Sequence, residues 1–130
     1  MRLLLDTHFL VWIALDKGDL TPRDRAFLRN PQLEIVCSVV SLWELRLKWN
    51  SVTPAAVRKG PIAPEGLLSL AVTAGWTLLP LRPEHAVAAL DVPISHKDPF
   101  DELLLVQAQV EGMRLLTRDK ALAGHPLAFR

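Results

Sequence analysis

Four carboxylates in this chain stand where an α/β fold would bring reactive groups together. They are Asp6, Glu44, Asp101 and Asp119. Asp6 directly follows the apolar run LLL, and Asp119 lies just beyond the apolar run RLLT, so both come after predicted strands. The carboxyl ends of parallel strands and the starts of the helices that follow share one edge of an open sheet. We therefore expect the four side chains to converge.

Carboxylates crowded at one edge repel each other and raise each other's pKa unless a cation compensates them. A divalent metal is the simplest compensation, and oxygen ligands favour Mg²⁺ or Mn²⁺ and phosphoryl chemistry. The four histidines are scattered, without zinc-like spacing. Our hypothesis is that Asp6, Asp101 and Asp119 hold one or two metal ions that activate water for attack on a phosphate. Glu44 is either a further ligand or the group that orients this water.

Three of these acids also have a purely structural explanation. The stretch SLWE, which ends at Glu44, has the pattern of a capping box, and DPFD over residues 98–101 has that of a capping aspartate with a first-turn acid. Asp119 is typical of a turn. Asp6 differs, because an acid directly after three leucines is costly to bury without a partner, and this indicates function.

Short apolar runs alternate with longer helical patterns, which predicts an α/β fold with a mainly parallel sheet. The predicted strands cover residues 2–6, 34–38, 76–81 and 114–117, and a last strand around 127–129 must be brief or missing. Helices are predicted over residues 8–15, from Thr21-Pro22 to before Asn30-Pro31, over 39–48 and 64–74, and from Asp98-Pro99 to Gly112. Residues 50–63 are predicted to be irregular, and Pro80 favours an edge strand or the end of its strand over the centre of the sheet.

Composition limits the class of protein. The chain has 130 residues, 50% of them hydrophobic, which predicts one domain over residues 1–130. With 15 basic and 14 acidic residues, it cannot bind nucleic acid through excess positive charge alone. The longest apolar run, residues 9–15, is far shorter than the roughly 20 residues that span a bilayer. Because Cys37 is the single cysteine and no signal-peptide pattern is present, we expect a cytoplasmic protein.

Basic residues are nevertheless concentrated near two of the acids. Phosphate contacts are predicted for Arg46, Lys48, Arg118 and Lys120. Arg58 and Lys59 belong to the same basic stretch as the first pair, and for them a solvated surface is an equal alternative.

The stretches LLLDTHFLVW, SLWELRLK, HKDPFDELLLVQAQ and LLTRDKAL, in this order, resemble the PIN-domain ribonucleases, specifically the VapC-type toxins of bacterial type II toxin-antitoxin systems. The resemblance covers nearly the whole chain, and DPFD before a leucine-rich helix is its most specific part. It implies a PIN-like three-layer domain with a central sheet of four to five strands flanked by helices. It also implies a Mg²⁺- or Mn²⁺-dependent endoribonuclease that acts as a toxin.

The same resemblance assigns residues. Asp6, Glu44, Asp101 and Asp119 match the acidic cluster of the family, Asp98 matches the extra acid of its DPFD form, and Thr7 and Thr117 match small hydroxyl residues beside these acids. Capping is an equal alternative for both threonines. Two features depart from the pattern: Glu102 follows DPFD where a basic residue is common, and only eleven residues follow Asp119.

In this family a small antitoxin, VapB-like, covers the acidic groove, and the toxins commonly form homodimers. Phe9, Trp12 and Ile13 are the candidates for such a contact, and a core helix is the alternative for this segment. Two other functions remain open: a non-catalytic interaction module of the same fold, and a metal-dependent phosphatase or DNA nuclease. A phospho-receiver domain is excluded because Thr7 follows Asp6, and a two-aspartate phosphatase because His8 stands where its second acid belongs.

Overall fold

A computed structural model describes residues 1–16, 18–51, 60–95 and 97–129 of the chain. Its strands are β1 (Arg2–Leu5), β2 (Glu34–Ser38), β3 (Thr77–Leu79), β4 (Arg114–Leu116) and β5 (Ala128–Phe129). Its helices are α1 (Thr7–Leu15), α2 (Pro22–Leu28), α3 (Val39–Asn50), α4 (Pro64–Ala74), α5 (Pro83–Val87) and α6 (Pro99–Glu111), with a 3₁₀ turn over Lys120–Leu122. No helix in the described parts of the chain is long and apolar enough to cross a membrane.

All five strands pair in parallel, in the order β3-β2-β1-β4-β5. The first strand of the chain is therefore the central one, and Leu4 pairs with Val36 on one side and Leu115 on the other. This arrangement brings the residue after β1 to the middle of the carboxyl edge. The edge position of β3 confirms the expectation from Pro80, since a proline cannot donate a hydrogen bond to a neighbouring strand.

Helices cover both faces of the sheet, because the buried residues of β1 alternate between two core clusters. Leu4 packs with Leu104 and Leu105 of α6, whereas Leu5 packs with Leu10 of α1 and Leu45 of α3. Two-residue alternation along a strand produces this division. The α/β fold with a mainly parallel, helix-flanked sheet is thus confirmed, with five strands.

Helix punctuation in the sequence fixes several boundaries. The Thr21 hydroxyl accepts a hydrogen bond from Asp24 N at 3.1 Å, and Asp24 Oδ2 accepts one from Thr21 N at 2.8 Å. The helix α2 therefore begins with a capping box. Gly112 ends α6 at φ 68°, a conformation that glycine adopts without strain.

Cys37 lies in the core, and burial raises the pKa of its thiol to about 12, in keeping with a structural role.

One local prediction was wrong, and one short helix was missed. The capping box expected over SLWE does not form, because β2 runs directly into α3 and Ser38 is the cap, accepting from Val40 N at 3.0 Å. Ser41 and Glu44 therefore lie inside the helix, where both are buried. The short helix α5 was not predicted, since five residues are too few for a periodic pattern; its signal is Pro83 followed by Glu84. Arg58 and Lys59 lie outside the described residues.

Candidate active site

Asp6 lies at the carboxyl edge of the sheet, in the N-cap position of α1, where its side chain makes no capping hydrogen bond and it is only 2% exposed. Its backbone N–H donates to Leu116 O at 3.0 Å, which fixes it beside the end of β4. The Thr117 hydroxyl donates to Asp6 Oδ2 at 2.7 Å, and Nδ1 of the largely exposed His8 lies 3.8 Å from the same oxygen. A buried carboxylate is thus held from two directions.

The balance of forces on Asp6 favours its charged form. Burial raises the pKa of this carboxyl, but the His8 imidazole, the Thr117 hydroxyl and the Thr7 backbone together outweigh burial and bring the pKa below its usual value. The contact with Asp6 in turn raises the pKa of His8. Asp6 is therefore an anion at neutral pH despite its burial.

Thr117 also connects Asp6 to Asp119. Its Oγ1 donates to Asp6 and accepts from Asp119 N at 3.1 Å, so one hydroxyl orients both neighbours. Asp119 Oδ1 accepts from Ala121 N at 2.9 Å, as expected of a turn residue. Both acids line a cavity of 260 Å³, here called the acid cavity, together with His8, Trp12 and Arg118.

Glu44 is buried in a different environment. Thr7 donates to Glu44 Oε1 at 2.8 Å, and the Ser41 hydroxyl lies 2.9 Å from Thr7 Oγ1. Lys48, one helical turn along α3, donates to Glu44 Oε2 at 2.7 Å. Each carboxylate oxygen of Glu44 is thus hydrogen-bonded, and a lysine of the same helix compensates its charge.

The remaining acids lie at the start of α6. Asp98 Oδ1 accepts from Phe100 N at 2.9 Å and from Asp101 N at 3.3 Å, which confirms its capping role. Asp98 faces a separate cavity, which Lys97 and Glu102 also line. Asp101, in the first turn of the helix, is buried. The departure at Glu102 therefore places an additional negative charge beside Asp98.

The donor chemistry of the acid cavity fits a hard cation. Asp6 and Asp119 offer carboxylate oxygens, and Mg²⁺ is commonly held by one or two carboxylates while it keeps several waters. Among the residues described, no three or more His, Cys, Asp or Glu side chains are arranged to hold a metal. The structure brings Asp6 and Asp119 to the same cavity, which Glu44 and Asp101 do not line, so the convergence of all four acids stays a prediction.

The family model of the PIN domain matches residues 3–125, a segment that contains the central strand and all four of the acids first considered. The chain belongs to the PIN-domain family. PIN domains are generally nucleases, so the acid cavity lies in a nuclease fold. No curated protein matches the chain.

The predicted phosphate-binding residues of this PIN domain occupy different positions. Arg118 borders the acid cavity, and the exposed Lys120 begins the turn that Asp119 caps. Lys48 is paired with Glu44. Arg46 is exposed on α3 and lines a separate cavity. Arg118 and Lys120 are therefore the predicted phosphate-binding residues that flank Asp119 in the chain.

Three features of the site were missed in the sequence. His8 contacts Asp6, Ser41 contacts Thr7, and Arg118 pairs with Asp24 of α2 while its guanidinium lies 5.3 Å from the Phe9 ring centroid. Spacing offered a signal for His8, since it lies in the first turn of α1, which begins at Thr7 directly after Asp6. No signal in the sequence pointed to the pair of Arg118 and Asp24, because the two residues lie 94 positions apart in the chain.

Proposed function

We propose that this PIN domain is a Mg²⁺- or Mn²⁺-dependent endoribonuclease that hydrolyses RNA phosphodiester bonds. The observation that carries the proposal is Asp6, a buried carboxylate kept anionic at the centre of the carboxyl edge, which shares the acid cavity with Asp119. Such an anion, exposed only toward a cavity, is suited to hold a cation that in turn binds phosphate.

In this proposal Asp6 and Asp119 would hold the metal from the acid cavity, and Asp101, which does not line that cavity in this structure, would join them from the first turn of α6. When bound, a divalent ion would neutralise the scissile phosphate and lower the pKa of a water for in-line attack. Thr117 keeps the Asp6 carboxylate oriented and fixes the backbone of Asp119. Hydrogen bonds that neighbouring groups make to metal ligands set the orientation of those ligands. Asp98 acts indirectly, by capping the helix that carries Asp101.

Glu44 has a positioning role in the same proposal. Both of its oxygens are engaged by Thr7 and Lys48, so its charge already has a cation within the protein. Because Thr7 directly follows Asp6, the bond from Thr7 to Glu44 ties the start of α1 to α3. Glu44 therefore supports the orientation of the acid cavity from the neighbouring helix.

Arg118 and Lys120 are proposed to contact phosphates of the RNA near the acid cavity, and Arg46 to contact phosphates farther along the strand. Arginine presents a planar fork suited to phosphate oxygens, and lysine acts as a point charge. Such contacts give affinity without sequence choice and weaken as the salt concentration rises. A flat salt dependence of RNA binding would contradict this part of the proposal.

The biological role that we propose is that of a toxin in a toxin-antitoxin pair in the cytoplasm. The support is the resemblance of LLLDTHFLVW, DPFD and LLTRDKAL to VapC-type toxins. A small antitoxin protein and a second copy of the chain are the proposed partners. Trp12 and Ile13 are only partly buried on α1, which leaves apolar surface for one of these contacts.

The chemistry is tested by digestion of RNA, single-stranded DNA and a simple phosphomonoester with Mg²⁺, Mn²⁺ or chelator. The wild type should cleave RNA with either metal and lose activity with chelator. Asp6→Asn should be inactive, and Asp91→Asn, which changes an exposed acid outside the acid cavity, is the matched control. Cleavage that survives chelator, or that Asp6→Asn retains, contradicts the proposal. Phosphomonoester or DNA cleavage alone would favour the other metal-dependent hydrolases.

The toxin role is tested separately by inducible expression in bacteria. We expect growth arrest with the wild type and normal growth with Asp6→Asn at equal protein level. Growth arrest by both proteins would show that inhibition does not depend on cleavage, as expected of an interaction module.

A further inference from the structure

A second cavity, of 190 Å³, lies beside the acid cavity at the carboxyl ends of β4 and β5. Its walls include three aromatic rings and three charged side chains: Phe9, Phe27, Phe129, Arg23, Asp24 and Arg118. We call it the aromatic cavity. It is smaller than the roughly 300–1,000 Å³ typical of drug-sized ligand pockets, so it suits one flat ring system.

Arg118 joins the two cavities, because its side chain lines both. Its guanidinium is held in place by the Asp24 carboxylate and lies over the Phe9 ring at 5.3 Å and near Trp12 at 6.0 Å. A planar cation fixed in this way can contact a phosphate on the side of the acid cavity. The nucleotide attached to that phosphate then lies next to the aromatic cavity.

The walls of the aromatic cavity have the chemistry that unpaired bases require. Phe27 and Phe129 stack with centroids 5.6 Å apart and planes inclined by 14°, which presents aromatic surface. Arg23 supplies hydrogen-bond donors at the same cavity, whereas both carboxylate oxygens of Asp24 are engaged by Thr21 and Arg118. Single-stranded RNA is recognised in this manner, through stacking on aromatic rings and hydrogen bonds to base edges.

We propose that the aromatic cavity binds one unpaired nucleobase of the RNA, belonging to a nucleotide next to the scissile phosphate, and thereby contributes to the choice of cleavage site. The proposal rests on the proposed nuclease function. Phe27 and Phe129 contribute stacking, and Arg23 contributes contacts to the base edge. A protein segment is the alternative occupant, but Arg118 lines both cavities and so places this one next to the proposed site of phosphate cleavage, which favours a base.

The test is RNA binding measured by fluorescence anisotropy in the Asp6→Asn background, where the RNA stays intact. The probe is a labelled single-stranded RNA whose cleavage position has been mapped with the wild type. It is compared with RNAs that carry an abasic nucleotide at each position flanking that bond. We expect one abasic position to weaken binding roughly 5- to 100-fold, the range of a single base stacked on an aromatic side chain.

Two variants assign this discrimination to the aromatic cavity. Phe27→Leu keeps apolar volume but removes the aromatic face, and Arg23→Gln changes an exposed side chain that contributes little to the core. Either should reduce the ratio of intact to abasic affinity. Val87→Ala, at a position that is 84% exposed and outside the cavity, is the matched control and should preserve the ratio. Circular dichroism verifies that each variant is folded.

The outcomes separate this inference from the proposed function. If the wild type cleaves RNA but all abasic probes bind like the intact RNA, the base site is refuted and the nuclease function stands. If both variants still discriminate between intact and abasic RNA, the base binds elsewhere and the proposed base site is also refuted. If the variants bind RNA normally but fail to bind an antitoxin, the cavity is a protein-binding surface. If no RNA is bound or cleaved, the proposed function fails and this inference fails with it.

Discussion

Two buried carboxylates in this molecule have similar immediate contacts and different sources of charge compensation. Asp6 and Glu44 are 2% and 6% exposed, and each accepts a hydrogen bond from a threonine, at 2.7 Å and 2.8 Å respectively. Glu44 also pairs with Lys48 at 2.7 Å. Among the described residues, the basic group in contact with Asp6 is the largely exposed His8 imidazole, whose Nδ1 lies 3.8 Å from Asp6 Oδ2.

The difference supports the proposal that Asp6, rather than Glu44, binds the metal. A buried charge is stable only when it is paired or bound to a metal. Glu44 satisfies this condition within its own helix, so it needs nothing from outside. Asp6 faces a cavity that it shares with a second carboxylate, Asp119, which increases the local negative charge. Burial and a threonine contact alone therefore do not distinguish a catalytic acid; the source of the compensating cation does.

The largest expected difference lies between Asp6→Asn and Glu44→Gln. The first should lower kcat/KM for RNA cleavage by about three orders of magnitude, because it removes a proposed metal ligand. The second should lower it only about tenfold, the size of a positioning effect. Single-turnover cleavage of a labelled RNA measures both. Equal losses of kcat/KM in the two variants would contradict the proposed difference in role between Asp6 and Glu44.

Thr117→Val should weaken binding of Mn²⁺ by about 10- to 100-fold, because the Asp6 carboxylate loses the hydroxyl that orients it. Isothermal titration with Mn²⁺ measures this independently of cleavage. Thr117→Ser keeps the hydroxyl and should restore most of the affinity. If the valine and serine variants bind Mn²⁺ alike, Thr117 has only a packing role.

Lys48→Met should destabilise the fold by about 1 kcal/mol, because Glu44 remains buried without its cation while the lysine itself is half exposed. Urea unfolding of the purified protein gives the free energy of unfolding. Arg46→Met, on the same helix at an exposed position, is the control and should change it less. A larger effect at Arg46 would show that the Glu44 pair contributes little to stability.

The smallest expected effect concerns Asp24, which pairs with Arg118 beside the acid cavity. Arg118 lowers the pKa of Asp24 below its usual value, so the pair stabilises the protein at pH values above the unfolded pKa of about 4. This contribution is lost as the pH falls through the lowered pKa of the folded state. Asp24→Asn should therefore lower the free energy of unfolding, measured by urea titration, by up to about 1 kcal/mol at pH 7. The loss should become progressively smaller as the pH falls below about 4. A loss of stability that is constant over pH would contradict the ion pair.

Local signals in the sequence were sufficient for most of the secondary structure. The strands at Glu34–Ser38 and Arg2–Leu5 and the helix at Pro64–Ala74 agree with their predicted ranges to within a residue. Periodicity and caps are properties of neighbouring residues, so they are visible without the fold. The failure at SLWE has the same origin, because Ser38 and Ser41 both offered a capping hydroxyl and only the direct passage from β2 into α3 selected the first.

The sequence by itself thus determined the parallel α/β fold and the location of Asp6 and Asp119 after strands. Only the tertiary structure decided that these two strands are neighbours, that Thr117 bridges the two acids, that Thr7 binds Glu44, and that Arg118 pairs with Asp24. The physical reason is distance along the chain. Thr117 and Asp6 are 111 residues apart, and a hydrogen bond between them exists only after β1 and β4 have paired.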